Sequence, residues 1–122
     1  MKTILIVDDA YSTLVLLKEE FEGAGYEVLT TDSGNEALEI LNDPSKRIDL
    51  LITNLRHTGP KGLDFIRLIK KIWPDLPVIC LTALSGYKDL PPDDRPFDDL
   101  VEKSYDLSRL KDSVASLIDK RK

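Results

Sequence analysis

A chain of 122 residues, 42% hydrophobic and 32% charged, has enough apolar surface for one core of its own and too little length for two. Its net charge of −5 argues against nucleic-acid binding, since the clearest basic cluster is only the terminal Lys120-Arg121-Lys122. No apolar stretch approaches the roughly 20 residues of a membrane span, and Met1-Lys2 leads into only five apolar or small residues before Asp8; no membrane association, no secretory leader and a cytoplasmic setting are therefore expected.

The first apolar run, Thr3–Val7, predicts a strand that ends on two adjacent acids, Asp8 and Asp9. Leu14, Leu17, Phe21 and Ala24 follow at helical spacing, with Gly23 and Gly25 as the stop. Glu27–Thr31 is a second strand, more polar than the first, as an edge strand can be. Ser33 and Glu36 form a capping box opening a helix through Ala37, Leu38, Ile40 and Leu41, ended near Pro44. Asp49–Thr53 predicts a third strand and delivers Asn54 at its end. Ile66, Ile69 and Trp73 mark a helix closed before Pro74.

Pro77–Thr82 is the fourth strand. Its single cysteine, Cys80, reads as a small buried hydrophobe and makes no disulfide framework. Another helix is due between Thr82 and Leu100, but Pro91, Pro92 and Pro96 fall there. A proline inside a helix costs about 3 kcal/mol or more, so that helix is expected to be short or irregular. Leu100–Lys103 is the fifth strand, and Asp106 caps a last helix with the stripe Leu107, Leu110, Val114, Leu117 and Ile118. The alternation predicts one α/β domain over 1–122, doubly wound, with a five-stranded parallel sheet and helices on both faces.

Chemistry in such a fold collects at the carboxyl ends of the strands. Asp8 and Asp9 can share a hard cation there, and Mg²⁺ suits a half-open acidic cup; taken alone, the pair also reads as a solvated Asp-Asp turn. Asn54 falls beside them, where a third carboxylate would be expected. Thr82-Ala83 and Lys103 end the fourth and fifth strands. By themselves, Thr82 reads as a strand cap and Lys103 as a surface ammonium.

These ordered landmarks, with Gly62 after the third strand, resemble the receiver domain of bacterial response regulators in two-component phosphorelays. The resemblance covers essentially the whole chain. It implies a flavodoxin-like strand order, 2-1-3-4-5, and a histidine kinase or other signalling protein as partner. It places Asn54 at the phosphoacceptor position. It makes Asp8, Asp9, Asn54 and the backbone carbonyl of Arg56 the Mg²⁺ ligands, with Asp9 the more direct of the acids. Thr82, Ala83 and Lys103 become the phosphate pocket.

The chain departs from the family pattern at several of these points. Asn54 keeps the shape of aspartate without its charge or nucleophilic oxygen, so acyl-phosphate formation should be lost and Mg²⁺ binding weakened. Thr53 is no substitute, because strand alternation turns it to the other face. Thr58 stands where the family usually has proline, with Pro60 nearby, and Leu100 where an aromatic switch often stands. Ser104 follows Lys103 in place of a cis-proline; a trans bond is expected there, and with it a shift of Lys103. His57, the single histidine, has no partners at ligand spacing and reads as a loop residue, as Tyr87 does, while Trp73 reads as packing.

The sequence thus points to a degenerate receiver that signals by protein contact and is not an enzyme. One alternative is an ordinary receiver with an engineered Asp-to-Asn change. Another is a small flavodoxin-like cofactor-binding protein, opposed by Asp8-Asp9 at the first strand end and by the lack of a Gly-rich cradle. Oligomeric state is left open by the sequence.

Overall fold

The computed structural model describes residues 1–54, 62–82, 96–104 and 106–120. Its strands are β1 (Thr3–Val7), β2 (Glu27–Thr31), β3 (Leu50–Thr53), β4 (Val78–Thr82) and β5 (Asp99–Glu102). The helices among the described residues are α1 (Tyr11–Gly23), α2 (Gly34–Asn42), α3 (Gly62–Ile72) and α4 (Ser108–Lys120). All strand pairings are parallel, in the order β2-β1-β3-β4-β5. This is the predicted doubly wound sheet. The interval 83–95, where a short or irregular helix is expected, lies outside the described residues.

The apolar strands are apolar throughout because each feeds two cores. Ile4, Ile6, Leu50, Ile52, Ile79 and Leu81 pack with Leu14, Leu17 and Phe21 of α1 and with Leu110, Val114 and Ile118 of α4. The alternate residues Leu5, Val7, Leu51, Val78 and Cys80 pack on the other face with Ala37 of α2 and Phe65, Ile66 and Ile69 of α3. Each fully buried aliphatic or aromatic side chain contributes about 1.5–3 kcal/mol, so the two layers hold most of the stability. The polar β2 has one strand neighbour, β1, and lies at the sheet edge as its composition predicts.

Local signals set the element ends. Gly25 adopts φ 97° just past α1, a left-handed conformation that favours glycine. Ser33 Oγ accepts the Glu36 N–H at 3.2 Å, the forward half of the capping box. The Ser33 N–H goes to Thr31 Oγ1 at 3.1 Å, so β2 supplies the partner that Glu36 was expected to supply. Asp106 Oδ1 accepts the Ser108 N–H at 3.0 Å and caps α4.

Asp49, expected inside the third strand, stands just before it and turns its carboxylate back. Its Oδ2 accepts the Thr3 N–H at 2.9 Å and its Oδ1 the Arg47 Nε–H at 3.2 Å. Asp98 does the same for β4, accepting the Val78 N–H at 2.7 Å and Lys70 Nζ at 2.9 Å. Both tie down strand starts, at the edge opposite the ends that carry Asp8 and Asn54. Among the described residues no helix is long and apolar enough to cross a membrane.

Candidate functional site

Register brings the candidate residues to one edge. Val7 pairs with Thr53 and Thr53 with Cys80, so Asp8 and Asn54 leave adjacent strands side by side. The Asn54 N–H continues the ladder to Val7 O at 3.1 Å, and the Asp8 N–H does so to Thr31 O at 3.1 Å. Thr82 pairs with Glu102, and the Lys103 N–H donates to Thr82 O at 2.7 Å, which fixes the root of the lysine beside β4.

Asp8 is buried, with 1% of its surface exposed. Its Oδ1 accepts the Ala10 N–H at 2.8 Å, a tie that holds the carboxylate over the first turn after β1. Its Oδ2 lies 2.8 Å from Lys103 Nζ. That contact is a close ion pair, but its angles are not those of a hydrogen bond, and Oδ2 keeps a lone-pair direction unfilled. Asp9 is exposed at the rim.

Asn54 is buried and its Nδ2 donates to Asp9 Oδ1 at 3.0 Å. An ionised carboxylate only accepts, so the nitrogen must be the atom that faces it. Asn54 Oδ1 is then a buried acceptor without a hydrogen-bond partner among the described residues. Two carboxylates and one orphaned amide oxygen are hard donors of the kind that suit Mg²⁺, with one negative charge fewer than three carboxylates would bring. Thr53 points away from this cluster, fully buried, with its hydroxyl donating to Asn54 O at 3.0 Å.

Asp8, Asp9, Asn54 and Lys103 therefore stand at one edge of the sheet, Asn54 on Asp9 and Lys103 on Asp8, with Thr82 on the neighbouring strand end. Ala83 and Arg56 lie outside the described residues, as do His57, Thr58, Pro60, Tyr87, Pro91 and Pro92. No cis peptide bond occurs among the described residues, and the expected shift of Lys103 does not carry it away from the acidic pair. Sequence reasoning missed which carboxylate the lysine meets. No local pattern in the sequence encodes it, because it depends on side-chain reach across the strand ends.

The surroundings add two features. A cavity of about 610 Å³ runs between α1 and α4, with Ser12, Thr13, Leu16, Lys103 and Leu107 on its walls. Tyr11, Val15 and Leu16 of α1 are exposed, and Leu16 lies on the wall of that cavity.

The model of the response regulator receiver domain family matches residues 4–115. Sporulation initiation phosphotransferase F of Bacillus subtilis is 31% identical over 113 residues, spanning 91% of this chain and 89% of that protein. The transcriptional regulatory protein GlrR of Escherichia coli is 38% identical over 86 residues, which are 70% of this chain and only 19% of GlrR. The matched segment thus spans about a fifth of that longer regulator's length. Among solved structures, the Thermotoga maritima response regulator TrrA, determined with Mg²⁺ and BeF, is 39% identical, with a TM-score of 0.85 over 96% of this chain and 99% of that one. TrrA bound to the histidine kinase ThkA matches at 0.84 with 38% identity, over 96% and 98% of the two chains. With this strand order and a family match across nearly its whole length, the chain belongs to the response regulator receiver domains of two-component signalling.

Proposed function

We propose that this receiver domain forms no acyl phosphate at position 54 and acts through contacts with a histidine kinase or another signalling protein. The observation that carries the reading is the Asn54 side chain, which directs an N–H group at Asp9 from the position that the resemblance makes the phosphoacceptor. An amide oxygen is a poor nucleophile, and phosphoryl transfer rests on placing an anionic oxygen against a neutralised phosphoryl group. TrrA in complex with a histidine kinase supports the partner class, and the exposed Tyr11, Val15 and Leu16 of α1 support action by contact.

In this reading Asp8, Asp9, Asn54 Oδ1 and the Arg56 carbonyl are the ligands available to Mg²⁺, held more weakly than by three carboxylates. When bound, the ion supplies positive charge near phosphoryl oxygens. Thr82, Ala83 and Lys103 would form the phosphate pocket, with the Lys103 ammonium beside Asp8.

The test is incubation with acetyl phosphate and Mg²⁺, followed by intact-mass measurement. The parent chain should remain unmodified; a phosphorylated species that disappears in Asp8→Asn would defeat the proposal. A second reading, an ordinary acceptor site with a single engineered change, is favoured by the intact grouping of Asp8, Thr82 and Lys103. Asn54→Asp separates the two. Gain of phosphorylation supports the single change, and continued inertness supports a site that has drifted as a whole.

A further inference from the structure

β2 is bonded to β1 on one side, and no strand follows it on the other among the described residues. The Glu27 N–H donates to Lys2 O at 2.9 Å, and Thr31 O accepts the Asp8 N–H at 3.1 Å. Residues of a parallel ladder alternate in the side to which they turn their backbone groups, so Glu27, Leu29 and Thr31 face β1. The N–H and C=O groups of Val28 and Thr30 therefore point out of the sheet edge. One of these groups is already taken. Lys18 of α1 reaches over the edge and donates from Nζ to Val28 O at 3.2 Å, steadied by Glu22 Oε2 at 3.4 Å. The β-branched Val28, Thr30 and Thr31 suit strand pairing, and such an edge recruits another strand unless a charge or a cover stands in the way.

We propose that the outer edge of β2 is a self-association surface for the same edge of a second copy of this chain, held closed by Lys18. The backbone groups fit that occupant. In an antiparallel pairing centred on Leu29, Val28 of each copy stands opposite Thr30 of the other, and both pairs exchange reciprocal N–H···O=C bonds. The outward residues thus have the spacing that a two-fold, self-complementary seam needs. Charge does not oppose it, because Glu27 falls opposite the uncharged Thr31 and no like charges meet along the strands. In the isolated domain, Val28 O is the acceptor that the Thr30 N–H of the second copy requires, and the Lys18 ammonium occupies it. Closing the seam either breaks that bond or encloses the ammonium of each copy, which is now half-exposed. Taking a cation out of water is costly, so the lysine holds the edge apart. The inference does not depend on the residue at position 54, which follows β3 on the far side of β1.

The test is sedimentation velocity over a concentration series of the parent chain, Lys18→Met, Lys18→Arg, Thr30→Pro and Lys18→Met combined with Thr30→Pro. Lys18→Met removes the charge while keeping a long side chain of similar helix preference. It should self-associate about tenfold more tightly than the parent, the equivalent of about 1.4 kcal/mol, and a gain below about threefold overturns the proposal. Lys18→Arg, which keeps a charged donor, should match the parent; association as tight as that of Lys18→Met overturns the role of the charge. Thr30→Pro deletes an outward N–H that β1 does not use, and proline is tolerated on an edge strand. The combined variant should therefore return to the parent's behaviour, and dimers that persist in it put the contact elsewhere and overturn the proposal. Should Lys18→Met fail to fold, Lys18→Ala takes its place with the same thresholds. A parent that is already a dimer, and that Thr30→Pro turns into a monomer, defeats the closed edge directly.

Discussion

Asn54 and aspartate differ by one N–H group in place of an oxygen, and in this fold that group has a specific task. It bridges to Asp9, and the exchange to aspartate would set two carboxylates against each other at the distance now spanned by a hydrogen bond. In EDTA, Asn54→Asp should lower the stability by about 1–3 kcal/mol, the range for losing a hydrogen bond at a buried charged group. Urea unfolding with and without Mg²⁺ checks this, and an unchanged midpoint in EDTA would contradict it. Asp8, Asp9 and Asn54 were legible in the sequence because they end apolar runs that had to be strands, whereas Lys103 stood out only through the family resemblance. Their pairing was not. Which acid meets Lys103 depends on side-chain reach across β3 and β4, and nothing in the local pattern encodes it.

At the level of elements, β5 and α4 are joined by a cluster that spacing did not reveal. Asp99 opens β5 and accepts from the Ser113 hydroxyl, from Arg109 and from the Leu100 N–H. Burial pushes its carboxyl up, but those donors together outweigh burial and hold it below the ordinary 3.8. A carboxyl with a depressed folded value stabilises the fold above the unfolded value and loses that effect as pH falls through the folded one. Asp99→Asn should thus cost roughly 1 kcal/mol at neutral pH, discounted for the exposed Arg109 arm, and the difference should shrink below pH 3.8. Denaturation curves at the two pH values measure it; a pH-independent difference would rule out the charge as the cause. The same cluster explains an error of boundary. The fifth strand was expected to begin at Leu100, yet Asp99 pairs with Ile79 as the first residue of β5, its charge satisfied by α4. Helix spans and strand order were readable from periodicity, whereas the reciprocal half of the capping box went to Thr31, a partner set by the β2–α2 turn.

For the molecule as a whole, the sheet separates two cores, and Cys80 lies in the centre of one of them with no exposed surface. Burial pushes its thiol up to about 12, so it is neither ionised nor reachable in the folded state. A thiol reagent should label the native protein only as fast as the sheet opens, with labelling accelerated by urea. Rapid stoichiometric labelling in native buffer would contradict the packing described. This much of the architecture was legible from the apolar runs alone, because a strand buried on both faces has no polar side to display.

The central place of β1 has a further consequence for how the domain could change state. β1 is bonded on both sides, to β2 and to β3, and it carries Asp8 at its end, while β3 carries Asn54. Such strands open only with the whole fold, so the frame around the site behaves as a fixed chassis on the timescale of signalling. A message arriving here has to be written in side-chain rearrangements at the rim.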